Sequence, residues 1–224
     1  WINSSWDLIQ LPYLLSFLLT NFIIIGAMNA INWLDGLDGL AAGSVLISSF
    51  GLGIIFFLNN DFIGVILSSI LSGICLGFLR YNFFPAKLIM GDGGSYFIGF
   101  YLIYLVILFP LINNNQPASN IFLPLLMIVI PIIDMALVLF TRLVKKRSIF
   151  YPDRSHFHYK LLDLGLSHRN AVLIIYSMIL WSVCFALLFT NLPYKYLLFF
   201  ISNINFLALS YMKFKLKRNS KKKN

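Results

Sequence analysis

The sequence predicts an all-α protein, a bundle of helices that cross a membrane several times. Of its 224 residues, 59% are hydrophobic and only 11% are charged, whereas soluble domains carry roughly 25% charged residues. The apolar residues also collect into runs as long as the roughly 17–25 residues that a helix needs to cross a bilayer. Cys75 and Cys184 each lie inside such a run, which is typical of small buried side chains and not of a disulfide or a metal site.

Seven runs are predicted to be membrane spans. They form one transmembrane domain, residues 1–212, which a basic tail, residues 213–224, follows. The tail carries seven Lys or Arg residues, each worth about 1 kcal/mol beside an anionic leaflet, so we expect it to bind lipid headgroups and not nucleic acid. In chain order the spans cover residues 8–28, 40–58, 62–79, 96–112, 121–140, 172–190 and 196–212.

The basic residues collect on one side of these spans. Of the 17 Lys and Arg residues, only Lys195 falls in the polar loops that follow every second span. All the others fall in the opposite loops, 29–39, 80–95 and 141–171, or in the tail. Because basic loops remain in the cytoplasm, the N-terminus is predicted outside and the C-terminus inside. The basic run 142–148 is interpreted as part of this topology signal alone.

The stretch 29–43, NAINWLDGLDGLAAG, is unusually polar for so apolar a chain. Asn29, Asn32, Asp35 and Asp38 recur at every third position, and a glycine directly after each Asp allows a tight turn. We predict a span that ends near Asn32, a break that contains glycine, and then the next span. Two carboxylates beside two carboxamides suit a hard cation such as Mg²⁺. The competing interpretation is an ordinary helix cap.

A second polar motif, MGDGGS, residues 90–95, precedes the fourth span. Such a loop can offer backbone N–H groups to phosphate at a helix N-terminus, and Asp92 could hold a metal that bridges phosphate oxygens. It is not a nucleotide-binding P-loop, which needs a following Gly-Lys-Ser/Thr. By itself it could equally be a helix cap. Together with the first motif, on the same side of the membrane, it predicts a site for a metal and a diphosphate.

The third polar motif is YPDRSHFHYKLLDLGLSHRNAV, residues 151–172, which holds all three histidines of the chain. From an extended loop, His156 and His158 could converge on one ligand and, with Arg154, donate hydrogen bonds to a phosphate or a sugar. A zinc site is the rival interpretation, but no Cys or Glu accompanies the histidines.

Asp134 lies inside the fifth span, in the sequence PIIDM. A carboxylate within the membrane is costly and is therefore a functional candidate. The alternative is a structural pair with Arg142 or with a neighbouring helix. The sequence alone leaves both interpretations open.

The three motifs together resemble those of the polyprenyl-phosphate N-acetylhexosamine-1-phosphate transferases, glycosyltransferase family 4. NAINWLDGLDGLAAG is similar to that family's Asn-x-x-Asn-x-x-Asp-Gly-x-Asp-Gly-Leu-Ala signature, and MGDGGSYFIGF to its Gly-Asp-x-Gly-Ser stretch. PIIDM with the third motif is similar to the branch that transfers GlcNAc-1-phosphate. The branch that makes the first peptidoglycan lipid has three consecutive histidines where this chain has His-Phe-His. The resemblance covers about residues 10 to 175.

The resemblance implies an activity and a setting. The expected reaction transfers N-acetylhexosamine-1-phosphate, first of all GlcNAc-1-phosphate, from a UDP-sugar to undecaprenyl phosphate with release of UMP. It would initiate a cell-envelope polysaccharide such as lipopolysaccharide, at the cytoplasmic face of a bacterial inner membrane. The expected cofactor is Mg²⁺, which Mn²⁺ could replace, and the enzyme could be a homodimer. Asp35, Asp38 and Asp92 would be catalytic, and Asp92 and Asn32 would hold the metal. The residues expected to bind substrate are Asn29, Asn32, Arg154, His156 and His158.

The chain departs from the family pattern at one point. The family carries an adjacent pair of aspartates upstream of its Asn-x-x-Asn stretch, and this chain has no such pair. We therefore expect several N-terminal helices of the family to precede Trp1.

Three other functions compete with this one. The phospho-MurNAc-pentapeptide transferase of peptidoglycan synthesis stays open as an alternative. A CDP-alcohol phosphatidyltransferase is excluded because Leu-Ala-Ala follows Asp38-Gly39 where that family needs x-x-Ala-Arg. A transporter without enzymatic activity would place polar residues at mid-membrane and repeat its two halves. The polar residues here lie at one membrane face instead.

Overall fold

The computed structural model describes residues 12–112, 119–146, 148, 155–204 and 207. Over these residues the regular secondary structure is helical, as the sequence predicts. The last helix of the described residues is α9 (Lys195–Ile204). The helices before it are α1 (Tyr13–Leu34), α2 (Leu40–Leu58), α3 (Phe62–Asn82), α4 (Gly91–Ile112), α5 (Ser119–Leu126), α6 (Val129–Val144), α7 (Phe157–Asp163) and α8 (His168–Leu187).

The bundle has the surface of a membrane protein. Among the described residues, five helices are long and apolar enough to span a bilayer, namely α1, α2, α3, α4 and α8. Large apolar side chains lie exposed on their outer faces, including Phe22 at 75% and Phe62 at 68%. Such a surface would cause aggregation in water, whereas hydrocarbon accepts it. The polytopic membrane bundle is thus confirmed, while the count of seven spans and their orientation stay predictions.

α2 is the central helix of the bundle and packs against α3, α4 and α8. Small residues let α8 approach it closely, which is how membrane helices associate in the absence of a hydrophobic driving force. A Cβ at Gly43 would overlap the Tyr176 ring, and one at Gly51 would lie 2.6 Å from Val183 Cγ1. This close packing places the start of α8 beside the turn between α1 and α2.

The fifth predicted span, 121–140, is a pair of helices, α5 and α6, and not one continuous helix. Pro131 has no N–H for the carbonyl of Met127, four residues earlier, and its ring clashes with that carbonyl in a regular helix. The Ser48 hydroxyl of α2 donates to the Met127 carbonyl at 2.7 Å, and the Ser182 hydroxyl of α8 donates to the carbonyl before it. Neighbouring helices therefore satisfy the freed carbonyls, as the membrane interior requires.

The connections that carry the three polar motifs meet at one end of the bundle. The Asp38 carboxylate, between α1 and α2, accepts from the Ala86 N–H, between α3 and α4, at 2.9 Å. The Asp38 N–H donates to His168 Nε2, at the start of α8, at 3.1 Å. The Phe84 ring stacks on the His168 ring with their centroids 4.4 Å apart. The predicted convergence of the three motifs is therefore observed.

The orientation can be tested by cysteine labelling in intact cells, with Cys75 and Cys184, both buried, as the native background. Lys195→Cys and Asn114→Cys should react with a membrane-impermeant maleimide from outside, and Arg147→Cys only after the cells are permeabilised. Asn114 and Arg147 lie outside the described residues. Labelling of Asn114→Cys only after permeabilisation would mean that the predicted orientation in the membrane is wrong.

Candidate active site

The first two polar motifs are joined by the side chain of Asn32, in the last turn of α1. Its Nδ2 donates to Asp92 Oδ1 at 3.1 Å and to Ser95 Oγ at 2.9 Å, both at the start of α4. The Ser95 hydroxyl donates its single proton to the carbonyls of Gly91 and Asp92, so towards Asn32 it can only accept. This fixes the orientation of the amide. The carboxamide oxygen of Asn32 is therefore left for another donor or for a cation.

Asp35 lies directly after α1, where its N–H donates to the Asn32 carbonyl at 3.1 Å. Burial, and then the negative charges of Asp92 and Asp38, raise the pKa of Asp35 to about 6. Asp92 and Asp38 thus lie near enough to Asp35 for their charges to act on it, at the cytoplasmic end predicted for the bundle. A strongly perturbed carboxyl beside like charges is typical of a functional site.

Asn29, one helical turn before Asn32, lies at the edge of this cluster. Its Nδ2 donates to the Ile25 carbonyl of its own helix at 2.8 Å, and the Tyr96 hydroxyl approaches its Oδ1 at 3.5 Å. The structure therefore brings Asn29 to the same end of α4 as Asn32, although its amide N–H is already used within α1.

Two residues that the sequence analysis did not single out, Asn82 and Tyr176, hold the turn between α1 and α2. Gly39 there has φ of 79°, which favours glycine. Its N–H donates to Asn82 Oδ1 at 2.9 Å, and Asn82 Nδ2 donates to the Leu88 carbonyl at 2.8 Å. The Tyr176 hydroxyl donates to the Gly39 carbonyl. Asn82 could have been noticed as a buried amide at the end of an apolar run, whereas Tyr176 carries no local signal.

The third motif folds partly as the short helix α7. His156 is its N-cap, with the extended angles φ −62° and ψ 151°, and His158 lies within the helix. The expectation of an extended loop around both residues is therefore wrong for His158. Their rings nevertheless stack, with centroids 5.5 Å apart and planes 14° apart. Arg154 lies outside the described residues.

His158 is fully buried, and within the described structure neither of its ring nitrogens has a hydrogen-bond partner. Burial and the neighbouring His156 lower the pKa of His158 to about 4, against a smaller opposing effect of Asp134. A Cβ at Gly36 would collide with His158 Nε2. The ring is therefore neutral at pH 7 and lies against the backbone of the first motif.

A buried cation also packs on the first motif. The Arg142 guanidinium lies 4.9 Å from the centroid of the Trp33 ring, and Arg142 is only 4% exposed. The edge of the Trp33 ring meets the His156 ring, with centroids 5.6 Å apart. Arg142 is thus more than the topology signal that the sequence suggested, since it is part of the packing between α1 and α6.

The carboxylates and the Asn32 amide fit a magnesium ion. In the described part of the chain no group of three or more His, Cys, Asp or Glu side chains is arranged to hold a metal. Mg²⁺, however, is usually bound through one or two carboxylates, with waters and substrate phosphates completing its octahedral shell. Asp92 and Asp35, whose charges repel each other in the protein alone, supply two oxygen donors of this kind, and Asn32 a third.

Residues 2–110 match the sequence model of glycosyl transferase family 4. The chain is 36% identical over 178 residues to the probable undecaprenyl-phosphate N-acetylglucosaminyl 1-phosphate transferase of Bacillus subtilis (strain 168), covering 76% of this chain and 49% of that protein. It is 39% identical over 178 residues to the decaprenyl-phosphate N-acetylglucosaminephosphotransferase of Mycobacterium tuberculosis (strain CDC 1551 / Oshkosh), covering 72% and 44%. It is 32% identical over 184 residues to the undecaprenyl-phosphate alpha-N-acetylglucosaminyl 1-phosphate transferase of Escherichia coli (strain K12), covering 78% and 48%.

The chain spans about half the length of these curated relatives. The family match includes the first and second polar motifs, which the Asn32 hydrogen bonds join into one site. These three relatives are all named as transferases of N-acetylglucosamine phosphate that act on a polyprenyl phosphate. This is the kind of transfer that the motifs predict. This chain belongs to glycosyl transferase family 4, and its branch is that of the polyprenyl-phosphate N-acetylglucosamine-1-phosphate transferases.

Proposed function

We propose that the protein containing this chain transfers N-acetylglucosamine-1-phosphate from UDP-N-acetylglucosamine to undecaprenyl phosphate and releases UMP. The observation that carries the proposal is the pair of hydrogen bonds from Asn32 to Asp92 and Ser95. They hold two acidic motifs, 60 residues apart in sequence, at a single end of the bundle. The names of the relatives supply the class of donor group and of lipid acceptor.

The reaction exchanges one bond to phosphorus for another. An oxygen of the lipid phosphate attacks the phosphorus that carries the sugar, the bond from this phosphorus to the oxygen of UMP breaks, and UMP leaves with the electron pair. Such transfers depend on positioning and on neutralised charge more than on covalent help from the protein. Mg²⁺ held by Asp92, Asp35 and Asn32 would supply that neutralisation on the diphosphate.

The residues around the carboxylates position the donor. The first turn of α4, beginning at Gly91, can direct backbone N–H groups at phosphate oxygens. Asp38 keeps the α3–α4 connection in place through the Ala86 N–H. His156, His158 and Arg154 are the donors proposed for the diphosphate or the sugar. A cytoplasmic site at the end of a membrane bundle would meet both a soluble nucleotide and a lipid phosphate, as the initiating step of a bacterial cell-envelope polysaccharide requires.

The proposal is tested by measuring UMP release from UDP-N-acetylglucosamine with undecaprenyl phosphate, in the complete protein purified in detergent. Release should depend on the lipid, should stop when EDTA removes the metal and should return with Mg²⁺. UDP-N-acetylgalactosamine and UDP-MurNAc-pentapeptide serve as competing donors. Efficient turnover of UDP-MurNAc-pentapeptide alone would favour the peptidoglycan branch. No lipid-dependent UMP with any donor would contradict the transferase function.

Arg154→Lys should raise the KM for the UDP-sugar and leave kcat nearly unchanged. The guanidinium can bind a phosphate through two parallel hydrogen bonds, which the point charge of an ammonium cannot reproduce. Arg169→Lys is the matched control, because Arg169 is exposed near the start of α8. An unchanged KM in Arg154→Lys would remove Arg154 from the nucleotide site.

A further inference from the structure

We propose that Asp134 is a positioning residue of the active site. Its carboxylate on α6 fixes the ring of His156, so that Nε2 is the ring nitrogen offered to the donor's diphosphate. The inference rests on the proposed function for the identity of the donor. The contact between Asp134 and His156 can be tested without it.

Each oxygen of the Asp134 carboxylate contacts the start of α7. Oδ2 lies 3.1 Å from His156 Nδ1, and Oδ1 accepts from the Phe157 N–H at 2.8 Å. The first N–H groups of a helix lack partners within the helix, and the N-cap residue His156 provides no side-chain cap. A carboxylate from a different helix therefore takes the place of the missing cap. The side chains of His156 and Asp134 are only 9% and 11% exposed, so water competes little for these contacts.

The His156 ring is confined on its other sides as well. Trp33 meets it edge-on at a centroid distance of 5.6 Å, and the His158 ring stacks on it at 5.5 Å. Trp33 belongs to the first motif and lies between Asn32 and Asp35. Asp134 therefore holds His156 against the helix turn that also presents the carboxylate cluster.

The chemistry of the contact determines where the histidine proton lies. An ionised carboxylate only accepts hydrogen bonds, so Nδ1 must carry a proton in order to bond to Asp134. Nε2 is then the nitrogen left for a ligand, and a ring that donates from both nitrogens, to Asp134 and to a diphosphate, is an imidazolium. Such an imidazolium suits a diphosphate better than a neutral ring does. A carboxylate within an apolar helix is costly, and this role accounts for its presence in α6.

Asp134→Asn in the complete protein separates positioning from simple structural support. The amide oxygen can still accept from the Phe157 N–H, and the amide nitrogen can still donate to His156 Nδ1, so both contacts survive and the fold should too. Nδ1 of His156 must now be unprotonated. In ¹⁵N-histidine NMR we expect the His156 Nδ1 signal to move from the protonated to the unprotonated range, while those of His158 and His168 stay.

The same variant should bind UDP-N-acetylglucosamine roughly tenfold more weakly or worse, the size expected when a hydrogen bond to a charged group is lost. Asp163→Asn, which removes an exposed charge from the far end of α7, should change neither the NMR signals nor the Kd. An Nδ1 that is protonated to the same extent in both proteins would overturn the contact. A changed Nδ1 with an unchanged Kd would overturn the positioning role. If the unmodified protein bound no UDP-sugar, the proposed function would fail, while the Nδ1 signal would still decide the contact.

Discussion

Replacing Asp92 by Asn should lower kcat about a hundredfold or more, because electrostatic stabilisation by a bound metal contributes several kcal/mol and each 1.36 kcal/mol is tenfold in rate. The substitution keeps the shape of the side chain, and the new amide oxygen can still accept from Asn32 Nδ2, as Oδ1 of Asp92 does at 3.1 Å. What is lost is one negative charge at the proposed magnesium site. The assay is UMP release by the complete protein across a Mg²⁺ titration, whose midpoint should move to higher concentration.

If Asp92 were only a helix cap, Asp92→Asn should leave kcat nearly unchanged, since Asn caps a helix about as well as Asp does. The chain contains a matched control for this alternative. Asp61 is the N-cap of α3, and its side chain accepts from the Gly64 N–H at 3.1 Å. Asp61→Asn should leave kcat and the Mg²⁺ midpoint unchanged. An Asp92→Asn enzyme that behaved like Asp61→Asn would remove the metal from this position.

The proximity of Asn32 and Asp92 could be predicted from the sequence because a membrane restricts where polar loops can lie. Polar loops are confined to its two faces, and the basic residues predict which loops share a face. Two motifs assigned to the same face must then lie within a bundle's width of each other. The prediction needed no knowledge of which helices touch.

Features that depend on side-chain contacts between helices could not be predicted in this way. The sequence contains a local sign of the break between α5 and α6, namely Pro131. It does not show that the Ser48 hydroxyl satisfies the carbonyl freed at this break. The burial of His158 was missed because polar residues were assumed to lie in an open loop. The apolar Leu161 and Leu166 in the same stretch are both buried in the structure, and they were the available sign that α7 packs against the bundle.

The partner of Asp134 shows the same limit. The sequence marked the residue as costly and left two partners open, Arg142 or a neighbouring helix. Its observed contacts are with His156 and Phe157, 22 and 23 residues further along the chain. Such a pairing joins the predicted fifth span to the short helix α7 across a loop, and no periodicity in the sequence encodes it.

Replacing Asp35 by Asn should have opposite effects on stability and on activity. Burial and the charges of Asp92 and Asp38 raise the pKa of Asp35 to about 6, from 3.8 for an unperturbed carboxyl. The folded state therefore binds this proton more tightly than the unfolded state does, so the free energy of unfolding falls as the pH rises from about 4 to above 6. An amide avoids this cost. In metal-free detergent solution at pH 7.5, Asp35→Asn should have the higher Tm, and the difference should shrink as the pH falls towards 4.

The activity of Asp35→Asn should fall about a hundredfold or more, since the charge that destabilises the empty site is the charge that attracts the cation. Mg²⁺ should accordingly raise the Tm of the unmodified protein more than that of the variant, because a ligand stabilises a fold by its affinity for the folded state. Asp163→Asn, exposed on α7, controls for the loss of one charge. A Tm difference that did not vary with pH, or an equal response of both proteins to Mg²⁺, would mean that Asp35 neither titrates in this range nor helps to bind the ion.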